Sequence, residues 1–404
     1  MISKTTPDDA RPDMNRQSKI LFLFNHDAAH QAAHIVGIMA QMVTHYPQFH
    51  VIAACGTPAI QGVIERLLPA DIVVQIDWQP LSIPAALDRT LAPINMVAPV
   101  RRVARLYANM ELFASVDIVV STERTCLRVK RKLGPRSPKF AYVPHGSGDR
   151  NVAYHPELKQ FDIFLLSGQK LIDEMVAHGI TTAAQCHLIG YPKFDSVDRL
   201  ATLRFFENDN PVFLYNPHFD PLLSSWYDHG AAILGYFRDN ADRFNLIFAP
   251  HVMLFRKKLH VSLEYRTARL RPDIPAEFQN CANILIDTDG PNLFDMSYTL
   301  SADAYIGDMS SQVYEFLIRR RPCFFIDTHS KMDARAPPAY PFWGNGPICK
   351  NIEDLSPLIP DWRLYGERYR AAQDRLFSYT IDDNASLSAS LRGASALAEY
   401  ARKG

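Results

Sequence analysis

Short, unbroken apolar runs recur along the chain, separated by stretches long enough for a helix. In the first half they are "ILFLF" (20–24), "HVIAA" (50–54), "DIVVQI" (71–76), "DIVVS" (117–121), "FAYV" (140–143) and "FDIFLLS" (161–167). In the second half they are "PVFLY" (211–215), "NLIFA" (245–249), "NILID" (283–287), "ADAYIG" (302–307) and "CFFID" (323–327). A strand with one wet face alternates apolar and polar residues, whereas these runs do not. Continuous runs belong to strands buried on both faces, hence to a parallel sheet with helices on either side.

The scheme occurs twice, so the sequence predicts an α/β protein with two doubly wound, Rossmann-like halves facing across a cleft. A charged segment ending in a turn signal, "SVDRLATLRFFENDNP", places the boundary near residues 195–210. The expected organisation is a disordered leader over 1–19, a first domain over 20–200 and a second over 201–350. Helices over 351–404 are expected to pack back on the first domain. The leader is polar and lacks the apolar centre of a signal peptide. No run approaches the roughly 18 apolar residues that span a bilayer, so a cytoplasmic protein with at most peripheral membrane contact is expected.

Lys plus Arg balance Asp plus Glu at 43 each, which gives no support for a nucleic-acid partner. The six cysteines show no CxxC or Cys/His zinc spacing. They read as reduced, mostly buried thiols.

Doubly wound sheets bind ligands beyond the carboxyl ends of their strands, so motifs just after strands carry the chemistry. In "AYIGDMSSQVYEF" a strand stops at Gly307 and a helix, expected over "SQVYEFLIRR", starts within four residues. The amino end of a helix has unpaired N–H groups and attracts anions. Ser310 and Ser311 are small hydroxyl donors suited to a diphosphate there. Ordinary capping by Asp308 or Ser310 is the competing reading. Glu315, one turn in, suits either the two hydroxyls of a ribose or the helix dipole. "YVPHGSGDR" and "IFAPHVML" place His145 and His251 after strands, one in each half. Gly146 allows close backbone approach beside the first. "YNPHF" adds His218 at a similar place. His26, His30 and His34 follow the first strand at i, i+4 and i+8, a spacing that stacks them on one helix face. They read as an acceptor-side cleft wall or plain surface, with no matched carboxylate or Cys for a metal. "RRVARLYANM" and "RVKRKLGPRSPK" are basic enough to touch anionic lipid, although a solvated helix face explains them as well.

The ordered set "PHG … SG … GYPKFD … YNPHF … APH … ADAYIGDMSSQVYEF … RRPCFFID" resembles the CDP-glycerol glycerophosphotransferase family of teichoic-acid and capsule-polymer synthesis. It is more distantly similar to the non-hydrolysing UDP-N-acetylglucosamine 2-epimerases and other GT-B enzymes. The resemblance covers about residues 140–330, with Gly307 and Met309 standing where the family has Thr and Tyr. It implies a GT-B fold and a nucleotide-diphospho donor held mainly by the second half. It implies His145 as the base that deprotonates an acceptor hydroxyl and His251 as a pyrophosphate contact. Ser310 and Ser311 would touch the donor phosphates, and Glu315 the ribose. Asp308, His218 and His26 remain candidates for the cleft. The activated nucleotide is then the substrate, with no separate cofactor. The acceptor would be a cell-envelope glycan or a lipid-linked glycan at the inner membrane surface. An epimerase and a non-catalytic nucleotide-binding scaffold are the competing functions.

Overall fold

The computed structural model describes residues 17–26, 29–95, 100–146, 154–262, 266–308, 310–328, 341–383 and 386–403. The expected leader therefore lies, but for residues 17–19, outside the described residues. The chain divides into two compact units. Unit 1 comprises Met1–Tyr142, Gln160–Asp162 and Gly393–Gly404, and unit 2 comprises Val143–Lys159 and Ile163–Arg392.

Two parallel sheets, of seven and six strands, organise the chain. The first is built from β1 (Lys19–Phe24), β2 (His50–Cys55), β3 (Asp77–Pro80), β4 (Ile118–Ser121), β5 (Lys139–Tyr142), β6 (Ile163–Leu166) and β7 (Cys186–Leu188). Its order is β3-β2-β1-β4-β5-β6-β7. Strands β8 (Val212–Asn216), β9 (Asn245–Phe248), β10 (Leu259–Ser262), β11 (Thr267–Leu270), β12 (Ile284–Ile286), β13 (Ala304–Gly307), β14 (Cys323–Ile326) and β15 (Ile348–Cys349) follow. The second sheet runs β12-β9-β8-β13-β14-β15, while β10 and β11 form a separate antiparallel hairpin.

The unbroken apolar runs are explained by burial on both faces of the second sheet. Leu214, Ile247, Tyr305 and Phe325 point into one core. Their chain neighbours Phe213, Tyr215, Leu246, Phe248, Ala304, Ile306, Phe324 and Ile326 point into the other. Alternate residues thus face opposite cores, and each position on these strands must be apolar.

Several expectations need correction. Residues 71–76 do not form a strand. Ala70–Val73 is a single helical turn behind Pro69, Val74 is exposed, and the strand comes later as β3. Only Ile72 and Ile76 in that run are buried, a spacing of four that marks a helical turn. The i, i+4, i+8 stack of His26, His30 and His34 does not form either. Ala29–His34 is a 3-10 helix, with three residues per turn, and the α-helix begins at Val36. His26 and His34 are buried rather than on the surface.

Candidate functional site

Strand β8 lies between β9 and β13, so the turns after these three strands meet side by side at one edge of the sheet. They carry His218, His251 and the Asp308–Ser311 segment. Four hydrogen bonds fasten this edge. Asn216, at the end of β8, donates from Nδ2 to the Ala249 carbonyl at 2.6 Å and accepts from Tyr305 Oη at 3.2 Å. The His251 N–H donates to the Pro217 carbonyl at 2.9 Å. Tyr215 Oη and Ser225 Oγ share a hydrogen bond of 2.8 Å.

Asp308 is fully buried and is the centre of this edge. Its Oδ2 accepts from the backbone N–H of His218 and from that of Ser225, both at 2.8 Å. Ser225 immediately precedes the Trp226–Asp239 helix. The acid of the "GDMSS" turn therefore serves the start of a different, longer helix and fixes the His218 turn. Burial pushes the Asp308 carboxyl up to about 7, against the opposing pull of the Ser225 and His218 hydrogen bonds. Its Oδ1 is buried with no hydrogen-bond partner among the described residues.

The two second-half histidines are held in the same way. His218 Nδ1 accepts from the Asp220 N–H at 3.0 Å, and His251 Nδ1 accepts from the Met253 N–H at 3.2 Å. A ring nitrogen that accepts carries no proton, so each imidazole is neutral with its hydrogen on Nε2. Both rings are thus set up as Nε2–H donors. Their centroids lie 5.4 Å apart, and Phe219 packs against both, at 4.5 Å from His218 and 4.7 Å from His251.

The helix expected over "SQVYEFLIRR" is only five residues long, Gln312–Phe316. Arg321 accounts for the early stop. Its guanidinium donates to the Phe316 carbonyl and also to carbonyls of Thr299, Leu300 and Ala302. The end of the helix is thereby turned back toward β14. Burial lowers the Arg321 pKa to about 9. So short a helix has a weak dipole, and local hydroxyls and amides must do what a long helix would. Ser310 Oγ accepts from the Gln312 N–H at 3.3 Å, one residue before the N-cap position, and still has its proton to donate. Ser311 makes no side-chain cap bond. A Cβ placed on Gly146 would lie 3.4 Å from Ser311 Oγ. The His145–Gly146 turn therefore lies beside Ser311 within unit 2, and His145 is exposed.

Glu315 is buried, and its carboxylate is engaged. Lys193 Nζ lies 2.8 and 2.7 Å from its two oxygens, and Tyr191 Oη donates to Oε1 at 3.3 Å. Lys193 belongs to the "GYPKFD" stretch, and sequence reasoning gave it no role. A lysine between Pro and Phe in an apolar turn was the signal available. His26 lies in unit 1 after β1, edge-on to Phe24 at 6.3 Å. Unit 1 also holds an open cavity of about 760 Å³ lined by Leu87, Leu91, Val103, Ala104 and Tyr107 among others, and His26 does not line it.

No protein-family model matches the chain, and no curated protein matches it. Solved structures do. One is a variant of the wall teichoic acid polymerase TagF soaked with CDPG. It matches with a TM-score of 0.60 at 14% identity, over 96% of this chain and 90% of that one. A putative UDP-N-acetylglucosamine 2-epimerase from Listeria monocytogenes matches with a TM-score of 0.59 at 12% identity, over 96% and 98%. The S. aureus MnaA–UDP structure matches with a TM-score of 0.57 at 11% identity, over 96% of each chain. The fold is GT-B. The likeness runs through almost the whole chain, beyond the stretch of about 140–330 that carries the motifs. It also joins the two kinds of enzyme, polymerase and epimerase, that the motifs resemble. No helix among the described residues is long and apolar enough to cross a membrane.

Proposed function

We propose that this GT-B chain is a transferase. It would move a glycerol-phosphate, another polyol-phosphate or a sugar from a nucleotide-diphospho donor to a hydroxyl of a cell-envelope glycan or lipid-linked acceptor. The observation that carries this reading is the pair of Nε2–H donors, His218 and His251, held neutral at strand ends flanking the Asp308–Ser311 turn.

A transfer from such a donor leaves negative charge on the departing nucleotide phosphate. Donors fixed in advance stabilise that charge without reorganising, and losing one typically costs about 3–4 kcal/mol in the transition state. In this reading His218 and His251 donate from Nε2, and Ser310 and Ser311 from their hydroxyls. Gly146 leaves room for a phosphate oxygen beside Ser311. His145 takes the proton of the acceptor hydroxyl as its oxygen attacks, and the bond to the nucleotide phosphate breaks with its electron pair leaving on that phosphate. A positioned base of this kind is worth roughly 10²–10⁴-fold. A carboxylate offers about four acceptor sites, and Lys193 and Tyr191 take three on Glu315. Its part is therefore a single hydrogen bond to a ribose hydroxyl, with Lys193 neutralising the charge. His26 and the acceptor belong to the remainder of the reading, at a cytoplasmic membrane face.

A polymerase and an epimerase both stand among the structural neighbours. The two are separated by incubating the protein with CDP-glycerol, CDP-ribitol and UDP-sugars, with and without a glycan acceptor. Acceptor-dependent release of nucleotide, lost in His145→Ala, supports the transferase. A changed nucleotide-sugar formed without acceptor supports the epimerase and ends the transferase reading.

A further inference from the structure

The Val100–Ala108 helix of unit 1 puts its residues to two uses. Its arginines fasten the fold. Arg101 donates to the carbonyl and the carboxylate of Asp88, on the Ala85–Asn95 helix, at 3.1 and 2.9 Å. Arg102 donates from Nε to the Asn25 carbonyl at 3.0 Å, just past β1, and pairs with Glu123 just past β4. The apolar residues Val100, Val103, Ala104, Tyr107 and Ala108 recur at i, i+3, i+4, i+7 and i+8, the stripe that a helix normally lays against a core. Here that stripe is a wall of the open cavity of about 760 Å³. Leu106, off the stripe, is the one fully covered side chain of the helix. Leu87 and Leu91, one turn apart on the Ala85–Asn95 helix, form a second wall, and Thr125 and Arg128 a third. Leu87 and Tyr107 stand 42% and 45% exposed.

A concave apolar space of this volume has the size of a small-molecule site, typically about 300–1,000 Å³. Its lining selects the occupant. Arg128 is the single charged residue among the described ones that line it; it is exposed and makes no hydrogen bond or ion pair among the described residues. Residues 100–136 contain nine Lys and Arg against three acids. Asp88 and Asp162 reach in to Arg101 and Lys130, and the balance stays positive. Apolar walls do not suit a free sugar or nucleotide, whose polar groups would lose water without gaining partners. The stripe rises by roughly 12 Å over eight residues of helix, a trough for a chain laid along it. An aliphatic chain ending in an anion satisfies the walls and the cation together.

We infer that this cavity binds the aliphatic chain of a phosphate-headed amphiphile, with the chain along the Val100–Ala108 helix and the phosphate at Arg128. An acyl lipid and a prenyl phosphate share that chemistry. The inference uses no step of the proposed transfer. Binding of the chain needs neither donor nor turnover, so either idea can fail while the other stands.

Isothermal titration of the full chain with alkyl phosphates of increasing chain length, from hexyl to dodecyl and below their micelle concentrations, tests it. Affinity is expected to rise at least about threefold with each two-carbon step, because each methylene leaves water. It should fall about fivefold or more when the phosphate is replaced by a neutral maltoside head. Ala104→Trp, which fills the trough from a half-buried wall position, should abolish binding. Arg128→Glu, at an exposed position, should weaken the alkyl phosphates about tenfold, leave the maltosides unchanged and keep the melting temperature of wild type. A folding defect in Ala104→Trp would therefore not leave the matter open. Competition against dodecyl phosphate by lysophosphatidylglycerol and by geranylgeranyl phosphate tells an acyl source from a prenyl one, and the stronger competitor names it. Absence of binding, affinity that ignores chain length, failure of both lipids to compete, or variants that bind like wild type would overturn the inference. So would absence of binding together with a concentration-dependent dimer that Ala104→Trp abolishes.

Discussion

At the scale of single residues, the site depends on where protons sit. His218 and His251 each spend Nδ1 on a backbone N–H, which leaves Nε2–H as the only hydrogen either ring offers. Replacing either with Ala should lower turnover by roughly 10²–10³-fold, as for the loss of one preorganised donor, and His218→Ala, at a buried ring that accepts the Asp220 N–H, should also lower the melting temperature. His145→Ala should lower it by about 10²–10⁴-fold while donor affinity persists, as expected of a base. Gly146→Ala separates binding from folding, because the added methyl makes only ordinary contact with Ser311 at 3.4 Å. Its melting temperature should match wild type, and its donor Kd should rise at least about tenfold, equivalent to about 1.4 kcal/mol. Asp308 gives a pH signature. Its folded pKa of about 7 lies above the ordinary 3.8, so the folded state holds a proton that the unfolded state releases first. Stability should therefore fall as pH rises from about 4 to 7 and level off above that. Asp308→Asn, which mimics the protonated form, should equal wild type near pH 4 and exceed it above pH 7 in thermal melts across that range.

At the scale of elements, much was legible because apolar pattern reports burial. The runs at β1, β2, β4, β5, β6, β8, β9, β12, β13 and β14 stand out since consecutive residues on these strands are buried or nearly so, which leaves no polar alternation. The run at 71–76 misled because a turn of helix with Ile72 and Ile76 buried looks the same when its exposed Val74 is also apolar. Strand β7 is missed because it carries a His and is only partly buried, β15 because it has two residues, and the β10–β11 hairpin hides because its solvent face is the apolar one. In the site, the histidines and serines could be read from their places after strands. The partners of Asp308 and Glu315 could not, as both act across long sequence separations. Asp308 reaches Ser225, and Glu315 reaches Lys193. Gly307 illustrates the same limit. A side chain there would strike the Tyr305 ring, so the Thr of the family it resembles would require this ring, whose hydroxyl bonds Asn216, to shift. The Lys193–Glu315 pair should behave as a buried ion pair. Lys193→Met alone should destabilise by about 3–5 kcal/mol in urea unfolding, and adding Glu315→Gln should recover part of the loss.

At the scale of the whole molecule, two doubly wound sheets in one chain supply many strand ends, yet the chemistry proposed here gathers at one edge of the second. A ligand that binds the folded chain alone stabilises it by about 2.7 kcal/mol at 100 times its Kd, so a donor panel read by thermal shift should rank the nucleotide. A crystal structure with the best-ranked donor tests the central claim most directly. The account predicts diphosphate oxygens within hydrogen-bonding distance of His218 Nε2, His251 Nε2 and Ser311 Oγ. Phosphates seated on other groups, with those three atoms left untouched, would contradict it.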